Sequence, residues 1–366
     1  MRFLKVLIFI LGILMISQNV TAQVATSAVP FLLIAPSSRN AGMGEAGAGI
    51  ADDAWAQFWN PGGLAFQTGS EISISHANWL PQLGLGDLWI AHMIYKEEMK
   101  SLDGVVTGSV TYLNLGQFNR TLNSPEVIET FNSYEFAITG GYATKIMDNL
   151  GIGINTRFIY SALAPFATAE EKGRGVGSAI SFDVGVLYNV SAIPIPFSDF
   201  ELKDFLNIGL NISNIGPSIT YIDEKQADPL PMNFRLGFGF KIYQDQFNSL
   251  TAVTDFNKLL VKSDTAGNRD PYYKAFFTSW TDQSFERELA TITSSIGVEY
   301  WYGDPKLIAL RMGFFYEDPQ FGNRKFLTFG AGIRYDIYGL DFSYISTFEE
   351  QHPLANTLRF TLLMSF

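Results

Sequence analysis

The glycines between Gly42 and Gly47 come closer than any other part of this chain to a cofactor motif. Gly42, Gly44 and Gly47 have the spacing G-x-G-x-x-G, which in dinucleotide-binding folds brings a pyrophosphate against backbone amides. That chemistry needs a strand before the glycines, a helix after them and a βαβ unit, and the flanking sequence indicates none of these. We therefore predict close backbone packing here, with a turn at Asn60-Pro61.

The other residue types that carry out chemistry lack the spacing that chemistry needs. His76, His92 and His352 are scattered, whereas the ligands of a metal site recur at short, regular spacings. Asp52 and Asp53 are adjacent, so their side chains diverge, and a cap at a helix N-terminus is the simpler interpretation. The chain has no cysteine and no G-x-S-x-G nucleophile motif. We predict no catalytic residue, no metal site and no cofactor.

The first 22 residues predict export. Arg2 and Lys5 precede an apolar core over 6–16, and Val20-Thr21-Ala22 is a small-residue cleavage site, so the mature chain would begin at Gln23. No later stretch reaches the roughly 20 apolar residues of a spanning helix, although a spanning strand needs only about ten. The net charge of −11 argues against nucleic acid as a partner.

The end of the chain predicts a strand with one apolar and one polar face, because its residues alternate with period two. A chain that ends on such a strand, with an aromatic last residue, looks like an outer-membrane β-barrel. In such barrels the terminal strand is the insertion signal, which here would rest on Phe360 and Phe366. The apolar face carries Leu358, Phe360, Leu362, Met364 and Phe366, and the polar face carries Thr357, Arg359, Thr361 and Ser365.

After residue 69 the chain consists of short alternating segments separated by Gly, Asn, Asp and Pro. We count 14 of them, an even number that suits a closed bacterial barrel. The predicted fold is all-β: a 14-stranded antiparallel transmembrane β-barrel over 70–366, with residues 1–22 as signal peptide. Residues 23–69 would form a small hatch or plug segment, periplasmic or inside the lumen. The segments are 72–79, 88–96, 105–115, 134–143, 150–161, 176–190, 206–215, 233–243, 250–259, 294–302, 307–316, 326–337, 340–348 and 356–366.

The width of such a barrel decides which face points outward. A barrel of about 14 strands is too wide for side chains to fill, so an apolar interior would leave a large unfilled cavity. We therefore place the apolar face in lipid and the polar face in the lumen, without an apolar cluster there. The charged residues expected inside are Arg157, Arg235, Lys241, Arg311, Arg334, Arg359, Asp183, Glu299, Asp336 and Asp341.

Connection lengths predict the orientation of the barrel. Short connections fall where periplasmic turns are expected, and most of the alternate connections are longer, as outside loops are. Residues 191–204 break this rule, since they would make a long periplasmic connection. We have no sequence-based explanation for that exception.

The longest outside connection, 260–293, is rich in aromatic residues, which should not stay in water. Two alternatives remain open: these residues pack on the rim of the barrel, or they contact a protein partner. The candidate contact residues are Tyr272, Tyr273, Phe276, Phe277 and Trp280.

The N-terminal block of the mature chain carries a family resemblance. Residues 39–44 read RNAGMG, 51–54 read ADDA and 59–65 read WNPGGLA. This pattern resembles the N-terminal block of FadL-like outer-membrane barrels, and it implies 14 strands with an N-terminal hatch in the lumen. Within that superfamily the chain is similar to the PorV family, outer-membrane components of the type IX secretion system, over essentially the whole mature length.

This resemblance implies a secretion component rather than an enzyme. The implied partners are an SprA-like translocon barrel, secreted cargo bearing the type IX C-terminal signal domain, and a PorU-like sortase that attaches the cargo to the surface. Outer-membrane lipid or lipopolysaccharide would surround the barrel, and no cofactor is implied.

The main alternative is a FadL-type outer-membrane transporter of hydrophobic small molecules. That function needs an apolar pocket in the lumen and a kinked strand that opens the wall. The charged and small inward residues speak against the pocket, but Gly108 and Gly116 are candidates for a kink in the third strand. A third hypothesis, an outer-membrane esterase, is not supported by any nucleophile motif in the sequence.

Overall fold

A computed structural model of the chain describes residues 27–84, 87–121, 125–164, 174–194, 201–223, 226–262, 270–349 and 352–366. The expected signal peptide and cleavage site lie outside the described residues. No helix within the described ranges is long and apolar enough to cross a bilayer.

Fourteen antiparallel strands of the described chain form one closed barrel, which confirms the predicted fold class and strand count. Each strand pairs with its neighbours in sequence, and the first pairs with the last. The strands are β1 (Ser70–Asn78), β2 (Trp89–Met99), β3 (Gly104–Arg120), β4 (Glu129–Met147), β5 (Leu150–Ala162), β6 (Val176–Pro194), β7 (Glu201–Ile215), β8 (Asn233–Gln244), β9 (Asn248–Leu259), β10 (Thr293–Tyr302), β11 (Ile308–Tyr316), β12 (Lys325–Tyr335), β13 (Tyr338–Thr347) and β14 (Leu358–Ser365).

The alternation of burial along the strands confirms the predicted faces. On β5 the side chains of Ile154 and Phe158 are exposed on the outer wall, whereas Asn155 and Arg157 between them are buried inside. An exposed apolar band around a barrel with a polar interior is the pattern that lipid stabilises. The protein is therefore a membrane-spanning β-barrel.

Two residues expected in the lumen lie elsewhere. Lys241 is exposed, because the register of β8 shifts between Lys241 and Tyr243 and breaks the alternation there. Asp336 is also exposed, since it lies in the turn between β12 and β13 with a positive φ of 55°. The other charged residues of the predicted set are buried or half-buried.

The long connection over 191–204 is explained by longer strands. β6 and β7 stay paired past the neighbouring turns, with Ile193 opposite Leu202 and Pro194 opposite Glu201. The two strands therefore extend as a hairpin at the mouth that also holds the C-terminus. Its tip, 195–200, lies outside the described residues.

The barrel closes between its first and last strands. The Phe366 amide donates to Ser70 O at 2.9 Å, and the Ser70 amide donates to Phe366 O at 2.8 Å. The side chains of Phe360 and Phe366 are exposed on the outer wall, and the Phe360 ring lies 5.3 Å from that of Phe342. Their role in insertion stays a prediction.

Residues 27–69, which we call the lumenal segment, lie inside the barrel and are mostly buried. The segment contains two single-turn helices and two 3-10 turns, because its glycines and prolines allow little regular structure. These are α1 (Ser38–Ala41) and α2 (Ala56–Trp59), with the 3-10 turns Pro30–Leu33 and Pro61–Phe66. Further 3-10 turns, Pro81–Leu83 and Lys100–Leu102, lie in connections, and α3 (Tyr272–Thr278) and α4 (Phe285–Ala290) lie between β9 and β10.

Candidate functional site: the filled lumen and the outer flap

The glycines of the lumenal segment let its backbone touch the wall. Gly44 has φ +71°, and its amide donates to Thr328 Oγ1 at 2.8 Å. A Cβ on Gly42 would lie 3.0 Å from the Cα of Gly330, and one on Gly47 would overlap Trp59. The G-x-G-x-x-G spacing therefore coincides with close backbone packing.

The backbone donors at the end of this glycine run face a carboxylate of the wall. The Gly47 and Ala48 amides donate to Asp255 Oδ2 on β9 at 2.9 and 3.0 Å. Sequence reasoning missed Asp255, because a single inward carboxylate on a strand gives no signal of what it will meet.

Asn60 and Pro61 make the predicted turn and join it to the wall. Asn60 Oδ1 accepts from the Gly62 amide at 3.1 Å, while its Nδ2 donates to Ala48 O and to Val186 O on β6. Pro61 packs where a Cβ on Gly153 or Gly185 would overlap it.

An ion-pair network joins the lumenal segment to the wall at Arg39. Its guanidinium donates to Glu299 of β10 at 2.7 and 2.8 Å and also to the carboxylates of Asp52 and Asp53. Asp53 Oδ1 also accepts from the Trp55 amide just before α2. Glu299 is shared with Arg311, which continues the network to Asp341 and Arg334.

A second network fixes the opposite wall. Arg157 of β5 binds Asp183 of β6 through both terminal nitrogens, at 3.1 and 2.7 Å, and also donates to Asn214. Asn155 donates to Asp183 and to Gln57 O of the lumenal segment. Each charge in this network has a buried partner, so the contacts hold the segment in place rather than leave a reactive group free.

The expectation that the lumen lacks an apolar cluster is wrong. Phe31, Leu32 and Ile34 of the lumenal segment pack against inward residues of six neighbouring strands, β1 to β6. Alternation did not reveal this cluster, because its wall residues are isolated apolar positions on faces that are otherwise polar. The wall and loop members are Ala77, Ile90, Leu113, Ala137, Ile159, Ala179, Ile219 and Leu230.

The lumenal segment reaches the far mouth of the barrel. The Ala28 amide donates to Pro229 O, in the connection between β7 and β8, at 2.9 Å. That mouth lies opposite the C-terminus, so residues 27–69 run through the whole bore. A cavity of about 30 Å³ remains beside the segment, lined in part by Phe31, Trp55 and His92.

The third strand is irregular near one of the two glycines suggested as a kink. Its register with β4 shifts between Asn114 and Gly116, and Gly116 has φ +91°. The Asp87 carboxylate accepts from the Gln117 amide at 3.0 Å and lies where a Cβ on Gly116 would be. At Gly108 the register is continuous.

The connection with the predicted aromatic contact residues folds down over the outer wall, and we call its residues 270–292 the outer flap. Lys258, which faces outward from β9, donates to Glu288 Oε2 at 2.7 Å and to Thr291 Oγ1 at 2.6 Å. The Trp280 ring meets the outward Phe234 ring edge-on at 5.2 Å.

The aromatic residues of the outer flap divide into two groups. Phe276 is packed with Met232, Leu260 and Ala275 against the barrel, and Trp280 rests on Phe234. Tyr273 and Phe277 remain 66% and 71% exposed. Packing on the rim therefore accounts for part of the predicted contact set, and the exposed part is free to meet something else.

The attachment of the outer flap should depend on pH. Burial acts to raise the pKa of Glu288, but hydrogen bonds, chiefly from the Lys258 ammonium, outweigh it and keep the pKa below the ordinary glutamate value. A lowered carboxyl pKa stabilises the fold above the unfolded pKa of about 4.3, and this contribution is lost as the pH falls through the folded value. We expect the flap to loosen in acid.

Because the chain has no cysteine, a spin label on Leu289→Cys, at an exposed position, reports flap mobility. Mobility should rise on acidification. Adding Glu288→Gln should make the label mobile at every pH, and a label that stays equally immobile in this variant contradicts the prediction.

Comparison with known proteins reveals both a family and a fold. A family model described as "Type IX secretion system protein PorV" matches residues 17–266. The structure of the Ralstonia pickettii toluene transporter TbuX aligns with TM-score 0.51 and 13% identity, over 91% of this chain and 98% of that one. The Pseudomonas putida toluene transporter TodX aligns with TM-score 0.49 and 12% identity, over 88% of this chain and 95% of that one. A Pseudomonas aeruginosa FadL homologue aligns with TM-score 0.48 and 13% identity, over 90% of this chain and 98% of that one. No curated protein matches. At such low identity the likeness to TbuX shows a shared fold.

Proposed function

The chain belongs to the PorV family of type IX secretion system proteins, and on that premise we propose that it docks on a translocon barrel and receives secreted cargo. The cargo would be bound by its type IX C-terminal signal domain and delivered to the surface attachment machinery. The partners proposed are an SprA-like translocon barrel and a PorU-like sortase, within outer-membrane lipid and lipopolysaccharide. The protein itself would act as a docking and transfer component and not as an enzyme.

The observation that carries this proposal is the filled lumen. The lumenal segment runs from mouth to mouth and is tied to the wall by buried ion pairs and backbone contacts. The 30 Å³ cavity beside it suits about two waters at the ~15 Å³ that one needs, far below the roughly 150 Å³ that admits benzene. A protein cargo has no passage through this bore, so it would be bound outside the barrel.

Purification of the protein from native membranes tests the proposal. We expect a large second barrel and secreted proteins with a common C-terminal domain to come with it. Recovery of the protein alone, from membranes in which the secretion system is active, would overturn the docking role.

The exposed aromatic residues of the outer flap are the proposed translocon contact. Aromatic side chains are favoured at protein interfaces, and the side chains of Tyr273 and Phe277 are mostly exposed. We expect Tyr273→Ser with Phe277→Ser to reduce co-purification of the translocon about tenfold or more, since interface hot spots are typically worth at least ~2 kcal/mol.

A matched control is Val127→Ser with Ile128→Ser. These residues are also exposed and apolar, in the connection between β3 and β4 at the same mouth. Both double variants should keep the unfolding temperature of the parent. Equal translocon recovery from the two would reject the flap as the contact without rejecting docking itself.

Transport of hydrophobic small molecules remains the second candidate, because two features favour it: the apolar cluster around Phe31 and the irregular β3 at Gly116. The printed title of the TbuX structure names a toluene transporter. Transport would require the lumenal segment to withdraw. An assay of toluene uptake by cells that produce the protein, with and without a deletion of residues 28–34, separates the candidates. Uptake above background by the intact protein would support transport.

A further inference from the structure

Arg359 is a buried charge that has no hydrogen-bond or ion-pair partner among the described residues. It points into the lumen from β14, opposite Ala77 of β1 and Ser343 of β13, and is 1% exposed. Its Nε, Nη1 and Nη2 atoms make no hydrogen bond within the described part of the chain.

The other lumenal arginines show how exceptional this is. Arg39, Arg157 and Arg311 each bind one or more carboxylates. Arg235 has no ion pair among the described residues, but it donates to Asn257 and stacks on the Trp59 ring at 4.6 Å. Only at Arg359, among these five, is the whole guanidinium left without an acceptor.

The chemistry of the missing partner follows from the guanidinium. Arginine has five N–H donors and no acceptor, and it stays charged when buried. Nearly all buried polar groups in native proteins have a partner. What Arg359 lacks is therefore an acceptor, and a negative charge would remove most of the unfavourable energy of its burial.

The protein supplies no such group at contact distance among the described residues. The Glu45 carboxylate acts on Arg359 electrostatically, but it makes neither an ion pair nor a hydrogen bond with it. His92 also lies within electrostatic range and adds no negative charge; its Nε2 is itself buried without a partner.

We propose that Arg359 holds a small inorganic anion, a halide or a phosphate-type oxyanion, sealed in the lumen beside the lumenal segment. The near-complete burial of Arg359 leaves no path for a carboxylate attached to a lipid or a cargo chain. The anion would be enclosed during folding, when the lumenal segment packs into the barrel. It is a structural ligand, and its loss weakens the hold of β14 and the segment on each other.

Thermal unfolding of the purified protein in detergent tests this site. Unfolding releases the anion, so the unfolding temperature should rise by about 2 °C for each tenfold increase in the concentration of free anion above its dissociation constant. Sodium chloride and sodium phosphate are added separately at constant ionic strength to a buffer of large organic ions. The salt that gives the rise identifies the class of anion.

Variants decide between a bound anion and a general salt effect. Arg359→Gln should abolish the rise, whereas Arg157→Gln, which breaks a paired lumenal arginine, should lower the unfolding temperature and keep the rise. An equal rise in Arg359→Gln would overturn the proposal.

Glu45→Gln tests whether that carboxylate is the real partner. The proposal expects the rise to persist or to begin at lower anion concentration, since a competing negative charge has gone. If the parent shows no rise and only Glu45→Gln acquires one, Glu45 fills the role and the proposal fails. Anomalous density at Arg359 in crystals grown with sodium bromide would support a halide; a Glu45 carboxylate bonded to Arg359 there would overturn it.

Discussion

Replacing Gly44 by alanine is expected to displace the lumenal segment from its packed position against the barrel wall. A Cβ on Gly44 would lie 2.6 Å from Phe314 O and 2.8 Å from Ile296 O, atoms of two strands that cannot retreat without breaking the barrel. The φ of +71° adds strain for any residue with a side chain. Overpacking against backbone plus that strain should cost about 3 kcal/mol or more.

The measurement is the protection of residues 27–69 from protease in the purified protein, together with the denaturant midpoint. Gly108→Ala is the matched control, because a Cβ there has no atom within 4 Å. The control should match the parent in both assays. A Gly44→Ala protein as protected as the control would show that the segment does not rest where the structure has it.

The second large effect is expected from Arg39→Met. This change keeps the length of the side chain but removes the charge that three carboxylates share. Glu299, at 2% exposure, would keep only Arg311. Breaking a buried ion pair by removing one partner costs about 3–5 kcal/mol, because the other charge stays buried.

The denaturant midpoint measures this loss, and two variants define its origin. Lys274→Met removes an exposed pair with Asp270 and should leave the midpoint close to that of the parent, because exposed ion pairs contribute little to stability. Adding Glu299→Gln to Arg39→Met should recover part of the stability, since it removes the charge left unpaired. Additive losses in the double variant would contradict a direct coupling of these two residues.

The strands and their faces were predictable from the sequence because alternation is a local signal. On β5 and β14, period-two alternation alone predicts which side chains point into the lumen and which point outward. All 14 predicted segments overlap strands of the structure. The exceptions have local causes, such as the register shift near Lys241 and the turn at Asp336. The long connection at 191–204 had no sequence-based explanation, because only the structure shows that β6 and β7 stay paired as far as Pro194 and Glu201.

The contents of the lumen were not predictable from the sequence, because they depend on contacts between residues that are distant in the chain. Arg39 and Glu299 are 260 positions apart, and no local pattern tells which inward residue of a closed barrel will face which part of a segment inside it. The same holds for the apolar cluster around Phe31, for the outer flap folding onto Phe234, and for Arg359, which has no acceptor in the described part of the chain. Alternation along the chain was enough to indicate a barrel whose inner face is mostly polar, since side-chain direction along a strand depends on neighbours in the chain. What fills that interior depends on register and closure, which bring together residues far apart in the chain.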